Sequence, residues 1–164
     1  MKSEIAQASI AEVGLAVGLA GLAGGLCDIV SAMVVYGPVL QLGATPVTVL
    51  QSVASGIFGR EAFSGGIAIA AVGLAAHMGI SLVAAAAYVF AATRLVAMRR
   101  HPIACGLLFG VAVYFFMTKL VVPMSASPMA EPSTVGLFFI ALSLNVFFFG
   151  VPIGIVTAVV LGRK

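Results

Sequence analysis

Residues 10–36 read IAEVGLAVGLAGLAGGLCDIVSAMVVY, an apolar run that contains only two acids, Glu12 and Asp28. A helix needs about 20 apolar residues to cross the hydrocarbon core of a bilayer, so this run is long enough. Its continuous Ala-, Leu- and Gly-rich composition lacks the alternation of lipid-facing strands and indicates a helix. The length of the run, together with Glu4 and Glu12, argues against a cleaved signal peptide.

The composition of the whole chain agrees with a bilayer as its solvent. Hydrophobic residues make up 62% of the 164 residues, only 8% are charged, and the mean hydropathy is +1.23. This leaves too little polar surface to cover a water-soluble globule. We predict an all-α polytopic membrane protein in which residues 1–164 form a single integral membrane domain. The four transmembrane helices are expected at roughly 10–36, 66–92, 102–122 and 135–161.

A short extra helix is predicted between the first two spans, over about residues 46–58. Thr45 is a suitable N-cap, Pro46 suits the first turn, and Gly59 is a suitable stop. The segment is too short to cross a bilayer and reads as an amphipathic or re-entrant helix. Its polar residues include no Lys or Arg, which favours packing over the bundle as a cap over adsorption to anionic lipid. Those polar residues are Thr48, Gln51, Ser52 and Ser55.

The basic residues predict the orientation of the bundle. Cytoplasmic loops and ends of membrane proteins carry an excess of Lys and Arg, so both termini are expected in the cytoplasm. The net charge of +3 therefore describes topology, and the expected partner is the lipid bilayer, not nucleic acid. Six of the eight basic residues fall at the predicted cytoplasmic end: Lys2, Arg94, Arg99, Arg100, Arg163 and Lys164.

Small residues recur at spacings of three and four along the predicted spans. Such stripes let helix backbones approach closely, which matters in lipid because no hydrophobic effect drives helices together. Asp28 extends the stripe of the first span and is therefore expected to face a partner helix. Pro152 is expected to bend or loosen the fourth span. The glycines predicted to pack are Gly14, Gly18, Gly21, Gly25, Gly66, Gly73, Gly106 and Gly110.

Five polar side chains inside the spans form the candidate functional site: Asp28, His77, Tyr114, Lys119 and Asn145. An ionisable group inside a membrane is costly and marks a functional site or a structural pair. Counting along the helices places Asp28 and Lys119 at a similar height in the outer third, where they are expected to form an ion pair. The same count places His77 and Asn145 near mid-membrane as hydrogen-bonded neighbours.

The sequence contains no motif that names a reaction. Neither HExxH nor CxxC occurs, no nucleophile elbow is present, and the spans lack paired histidines that would hold haem. Cys27 and Cys105 are predicted at depths about 20 Å apart, too far for a disulfide. We therefore predict no metal, no cofactor and no enzymatic activity.

Several stretches carry a family resemblance: LQSVASG at 50–56, the Gly65–Gly66 pair, His77, Tyr88 and the segment 114–123. Together they resemble an uncharacterised family of small bacterial four-helix integral inner-membrane proteins. The resemblance implies the four-helix fold and a bacterial inner-membrane location. It implies no activity, because none is assigned to the family.

Two functional hypotheses follow. The first is a non-enzymatic accessory or interaction protein, since the small-residue stripes offer more packing faces than one chain needs. Its partner would be a second copy of the chain or another membrane protein. The second is a proton- or ion-coupled transporter or channel for a small solute, with Asp28 as the carrier and Lys119 as its counter-charge. A dry Asp28–Lys119 pair would favour the first, and a wet cleft beneath the 46–58 helix the second.

Overall fold

The computed structural model describes residues 9–128 and 134–162, which contain no strand. It confirms the predicted fold class, an all-α membrane protein with four spans and one short helix. Single helical turns lie at Gly59–Ser64 and Val96–Arg100. The five helices are α1 (Ile10–Val39), α2 (Pro46–Phe58), α3 (Gly66–Arg94), α4 (Pro102–Met124) and α5 (Val135–Leu161).

The bundle has two ends, which we call the terminal end and the cap end. The terminal end holds the start of α1, the junction of α3 with α4, and the end of α5; the cap end holds α2. At the terminal end Ser9 caps α1, and its side chain accepts a hydrogen bond from the backbone of Glu12. Arg99 is buried there and donates a 3.4 Å hydrogen bond to the carbonyl of Leu161. The other predicted basic markers of this end, Lys2, Arg163 and Lys164, lie outside the described residues.

Three of the spans contain a π-helical turn, and each such turn contains or precedes a proline. Proline has no N–H, and its ring clashes with the carbonyl four residues earlier, so a widened turn relieves the conflict. Pro38 lies within its turn, while Pro123 and Pro152 each follow one by two residues. The predicted loosening near Pro152 therefore takes the form of a π turn. The turns are Val35–Val39, Met117–Val121 and Asn145–Gly150.

Glycines bring the spans into close contact. A Cβ on Gly21 or Gly25 would lie 2.8 Å or 2.7 Å from side-chain atoms of α3, and one on Gly24 would lie 2.7 Å from Ile153 of α5. On α4, a Cβ on Gly106 or Gly110 would meet the backbone of α5 at 2.6 Å or 2.7 Å. Gly73 of α3 lies against the backbone of α2 at Leu50. These glycines occupy the packing positions that their spacing suggests.

Three other glycines do not pack as expected. Among the described residues, a Cβ added to Gly14, Gly18 or Gly66 would meet no heavy atom within 4 Å. Gly66 has a conformational role instead: its φ of +59° lies in the left-handed region, which glycine adopts without the strain of a side chain. Gly14 and Gly18 lie on the half of α1 nearer the terminal end, where the helix is more exposed. The predicted stripe therefore packs only from Gly21 onward.

The packed core lies on the terminal side of the polar residues in mid-membrane. Buried side chains from α1, α3 and α5 form it without any charged member. Tyr88 packs edge-on against Phe109 of α4, with ring centroids 5.0 Å apart. This arrangement places a group of closely packed, mainly apolar side chains between the polar layer and the terminal end. We call this group of residues the apolar plug: Ala20, Ala85, Tyr88, Ala92, Phe149 and Ile153.

Helix α2 turns its polar side toward the bundle. Thr45 caps it, Pro46 begins it and Gly59 ends it with φ of +62°, as the sequence predicts. Gln51 is buried, and its Nε2 donates a 3.0 Å hydrogen bond to the carbonyl of Gly66. Ser55 is fully buried, whereas the apolar residues at the end of α2 are exposed. The helix therefore covers the cap end of the bundle with its hydroxyl and amide groups directed inward and its last apolar residues directed outward.

Candidate functional site

Four of the five candidate polar residues lie at the same depth. Counted from the cap end at 1.5 Å per residue, Asp28, His77, Tyr114 and Asn145 are each about 15–17 Å along their helices. Each comes from a different span, α1, α3, α4 and α5 respectively. The shared depth brings polar groups from all four spans to one level, directly beneath α2.

Asp28 and His77 form the centre of this layer. His77 Nε2 lies 2.9 Å from the backbone oxygen of Gly25 and 3.9 Å from Oδ2 of Asp28. Since a carbonyl oxygen only accepts, Nε2 is assigned the hydrogen and donates it to Gly25. Gly25 permits this bond because its missing side chain lets α1 approach Ser81 on α3. The Asp28 carboxylate, in contrast, has no hydrogen-bond donor within reach among the described residues.

The expected ion pair between Asp28 and Lys119 is not formed among the described residues; the ion-pair neighbour of Asp28 is His77. The physical reason is the length of α1, which continues through a π turn to Val39 and so places Asp28 deeper below the cap end. Lys119 lies only about 8 Å from the end of α4. Its side chain is exposed and lines neither of the cavities that contain Asp28.

Two cavities meet at Asp28 and His77, beneath α2. The first has a volume of about 520 Å³ and extends along α1, and the second has about 330 Å³ and extends toward α4 and α5. Side-chain exposure of 19% for Asp28 and 13% for His77 is consistent with both groups bordering open space. Four residues line both cavities and separate them: Asp28, Ser52, Val53 and His77. The pair therefore lies where the two cavities adjoin, and we call the two cavities together the cleft.

Asn145 lies in the wall of the second cavity, at the first residue of the π turn in α5. Its Oδ1 is buried and has no hydrogen-bond partner in the described part of the chain. The expected hydrogen bond between Asn145 and His77 is absent there, because His77 Nε2 donates to Gly25. Both residues nevertheless face the same cavity. A buried amide oxygen without a donor is costly, which suits a site that receives one from a ligand or water.

Tyr114 joins the layer from α4 without lining either cavity. It is buried, and its ring packs edge-on against Phe138 of α5 at 5.7 Å. Tyr36 of α1, in contrast, lines the first cavity together with Asp28. Tyr114 therefore belongs to the packing around the polar layer and not to the lining of the two cavities.

Sequence reasoning missed part of this site. Tyr36 and Ser52 line the cleft, and the backbone oxygen of Gly25 holds His77. The polar face of α2 was the available signal for Ser52, since inward packing of that face places it over the acid. Nothing in the sequence marks a backbone carbonyl as a partner, so the role of Gly25 was recognisable only as close packing.

No metal centre is formed within residues 9–128 and 134–162, where no three His, Cys, Asp or Glu side chains gather. Cys27 and Cys105 are both free. The chemistry of the cleft is instead that of one carboxylate, one imidazole and one unpartnered amide oxygen. Such a group has the chemistry to bind a proton or a cation.

Comparison with known proteins returns no match, whether with family models, curated proteins or solved structures. The function must therefore be argued from the site.

Proposed function

We propose that this protein moves a small solute or ion across the membrane by exchange with protons at Asp28. One observation carries the proposal: the Asp28 carboxylate borders two adjoining cavities, without a hydrogen-bond donor among the described residues. A carboxylate in low dielectric needs water, a proton or a cation for stabilisation. A single site that holds either a proton or a cation couples their movements in opposite directions.

His77 positions the acid in this proposal. Its Nε2 is bound to the Gly25 carbonyl, which fixes the ring across the α1–α3 contact at 3.9 Å from Asp28. Neither Lys nor Arg is among the residues that line the two cavities, and Asp28 is the one Asp or Glu there. A cation entering beneath α2 therefore meets an attractive field that no fixed positive charge in those walls cancels.

Access from the other side requires a change of conformation. The apolar plug, with Phe149 and Ile153 at its centre, closes the cleft toward the terminal end. The π turn Asn145–Gly150 belongs to both, because its Asn145 lines the second cavity and its Phe149 is part of the plug, and Pro152 follows it. Loosened helical turns of this kind often lie at functional sites and can absorb bending. We assign the opening motion to α5.

Vesicle flux tests the proposal. Vesicles containing the purified protein and an entrapped pH-sensitive dye are given gradients of K⁺, Na⁺, tetramethylammonium or decyltrimethylammonium. We expect at least one gradient to move protons in the opposite direction, and Asp28→Asn to abolish that movement. Glu12→Gln is the matched control, because Glu12 lies on the same helix but caps its exposed start. Equal proton movement in Asp28→Asn, or none with any cation, would refute the proposal.

The proposal includes a bacterial inner membrane with both termini in the cytoplasm. Its support is the family resemblance of 50–56 and 114–123 and the basic residues Arg94, Arg99 and Arg100 at the terminal end. Fusions of a reporter that is active only in the cytoplasm test the orientation. Activity is expected after the C-terminus and not in the loop after α4; the opposite pattern would reverse the topology.

An accessory or interaction role is the second candidate. It is favoured by Gly14 and Gly18, which no described residue covers although they form a close-packing pattern. The partner would be a second copy or another membrane protein. Native mass measurement after mild extraction separates the two candidates. A monomer with no co-purifying protein would exclude this role and leave the transport proposal intact.

A further inference from the structure

An apolar groove runs along the bundle between α3 and α4. It encloses about 730 Å³, and all of its lining side chains are apolar. On α3 it extends from Ala76 to Ala87, which is about 16 Å of helix. Small residues such as Gly79 form one wall, and Phe109 and Phe116 of α4 form the other. Because both helices span the membrane, the groove lies where lipid chains would surround it.

The groove is adjacent to the second cavity of the polar site. Four side chains line both spaces: Ile80, Val113, Met117 and Val121. All four are apolar, and two are the flexible or branched residues of the π turn in α4. A ligand could therefore lie in the groove and extend past these side chains toward Asp28 and Asn145. The combined space is apolar at the lipid side and polar at its inner end.

The polar end offers acceptors, and its serine and imidazole donors are engaged within the chain, which leaves the Asn145 amide N–H2 as a further donor. The Ser81 hydroxyl donates to the carbonyl of His77, and the Ser125 hydroxyl donates to that of Val122. His77 Nε2 donates to Gly25. The Asp28 carboxylate and the Asn145 Oδ1 remain as acceptors without a described donor. The inner end therefore suits a positively charged group, which the carboxylate and the amide oxygen both attract.

We infer that the groove and the second cavity together bind a lipophilic cation, an apolar chain with an ammonium head, which enters from within the bilayer. The chain occupies the groove between α3 and α4, and the head lies between Asp28 and Asn145. This inference rests on the proposed function, because it names the substrate class of the same carboxylate. An anionic head would be repelled by Asp28, and a neutral chain would leave both acceptors unpaired.

Photolabelling of the full-length protein in lipid nanodiscs tests the inference. The probe is a decylamine with a diazirine in its chain, and mass spectrometry locates the labelled residues. We expect labels on the groove walls around Gly79 and Phe116. Decyltrimethylammonium should compete with the probe, whereas decyl sulfate, with the same chain and the opposite charge, should not. Asp28→Asn should reduce the labelling at least several-fold.

A groove-filling variant separates specific binding from partition into lipid. Gly79→Leu fits without strain, because a Cβ there meets no described atom within 4 Å, and its side chain fills the groove. Gly14→Leu is the matched control, since Gly14 is an equally open helical glycine on α1, away from the groove. We expect Gly79→Leu to abolish groove labelling and Gly14→Leu to leave it unchanged. Equal labelling of both variants, equal competition by decyl sulfate, or labels only between copies of the chain would overturn the inference.

Failure of this inference is distinguishable from failure of the proposed function. If Asp28→Asn stops cation–proton exchange but Gly79→Leu neither lowers exchange nor affects labelling, the substrate enters another way and only the inference fails. If Asp28→Asn and Gly79→Leu both reduce labelling and decyl sulfate does not compete, but no proton movement occurs, the inferred binding site is supported and the transport proposal is refuted.

Discussion

Replacing Gly25 by Ala is the sharpest test of how packing supports the site. The new Cβ would lie 2.7 Å from Oγ and 2.9 Å from Cβ of Ser81, and 3.1 Å from Cε of Met78. Ordinary contact begins near 3.4 Å. The Met78 chain can turn away, but Cβ of Ser81 is fixed to the α3 backbone. Helix α1 must therefore withdraw by roughly half an ångström, which stretches the bond from His77 to the Gly25 carbonyl.

The size of the effect follows from two opposing terms. Overpacking of this kind costs about 1–3 kcal/mol. Removing a glycine from a helix interior returns up to about 1 kcal/mol of helix propensity. Gly14→Ala gains the propensity term alone, because no described atom lies within 4 Å of its Cβ. The propensity terms cancel when the variants are compared, so Gly25→Ala should be about 1–3 kcal/mol less stable than Gly14→Ala.

Thermal unfolding in nanodiscs measures this difference. For soluble domains of similar size, about 1 kcal/mol corresponds to about 2–4 °C in Tm, so the two variants should differ by about 2–12 °C. Adding Ser81→Gly to Gly25→Ala removes the clashing atoms, and the double variant should be more stable than the sum of the single effects. Equal Tm values for Gly25→Ala and Gly14→Ala, or no coupling to Ser81, would refute the α1–α3 contact described above.

Three further changes test other parts of the fold. Gly106→Ala places a Cβ 2.6 Å from the carbonyl oxygen of Gly150, and we expect a loss of about 1–3 kcal/mol in thermal unfolding; an unchanged Tm would contradict the α4–α5 contact. Asn145→Leu removes a buried oxygen that lacks a partner, so it should raise stability by about 1 kcal/mol while it weakens labelling by the decylamine probe; lower stability would mean that the amide is paired. Gln51→Ala removes the 3.0 Å hydrogen bond from α2 to the start of α3, and amide exchange in residues 46–58 should become faster; unchanged exchange would show that apolar contacts alone hold the cap.

Local signals in the sequence were sufficient for the short helix. Thr45, Pro46 and Gly59 each carry a conformational preference that acts within a few residues, and α2 begins and ends where they predict. The fold class was similarly predictable, because the length of an apolar run has few alternative explanations in a chain of this hydropathy. Both predictions depend on nearest neighbours or on composition.

The partner of Asp28 was not predictable to the same degree. Its depth depends on where α1 ends, and α1 extends through a π turn around Pro38 that sequence periodicity does not reveal. An error of a few residues moves a side chain by several ångströms, enough to exchange Lys119 for His77 as its neighbour. His77 and Asn145 lie as far along their helices as counted from the sequence, because α3 and α5 begin at the expected residues.

Glycine spacing predicted which residues approach closely but not how far along each helix they do so. Gly21, Gly25, Gly106 and Gly110 pack against neighbouring spans, whereas Gly14 does not. A stripe on one helix gives no information about where the opposing helix crosses it, since the crossing angle depends on both surfaces. The length of a packed seam is therefore a tertiary property.

The distribution of π turns divides the bundle mechanically. Helix α3 contains neither a proline nor a π turn along Gly66–Arg94, and so it is the stiff member against which the others can be displaced. The other three spans each have one compliant turn at or above mid-depth, while their terminal halves are regular. Helix α3 is therefore the rigid helix, and α1, α4 and α5 can each bend at one π turn. Bending at these turns would change the shape of the cleft while the helix ends near Arg99 keep their positions.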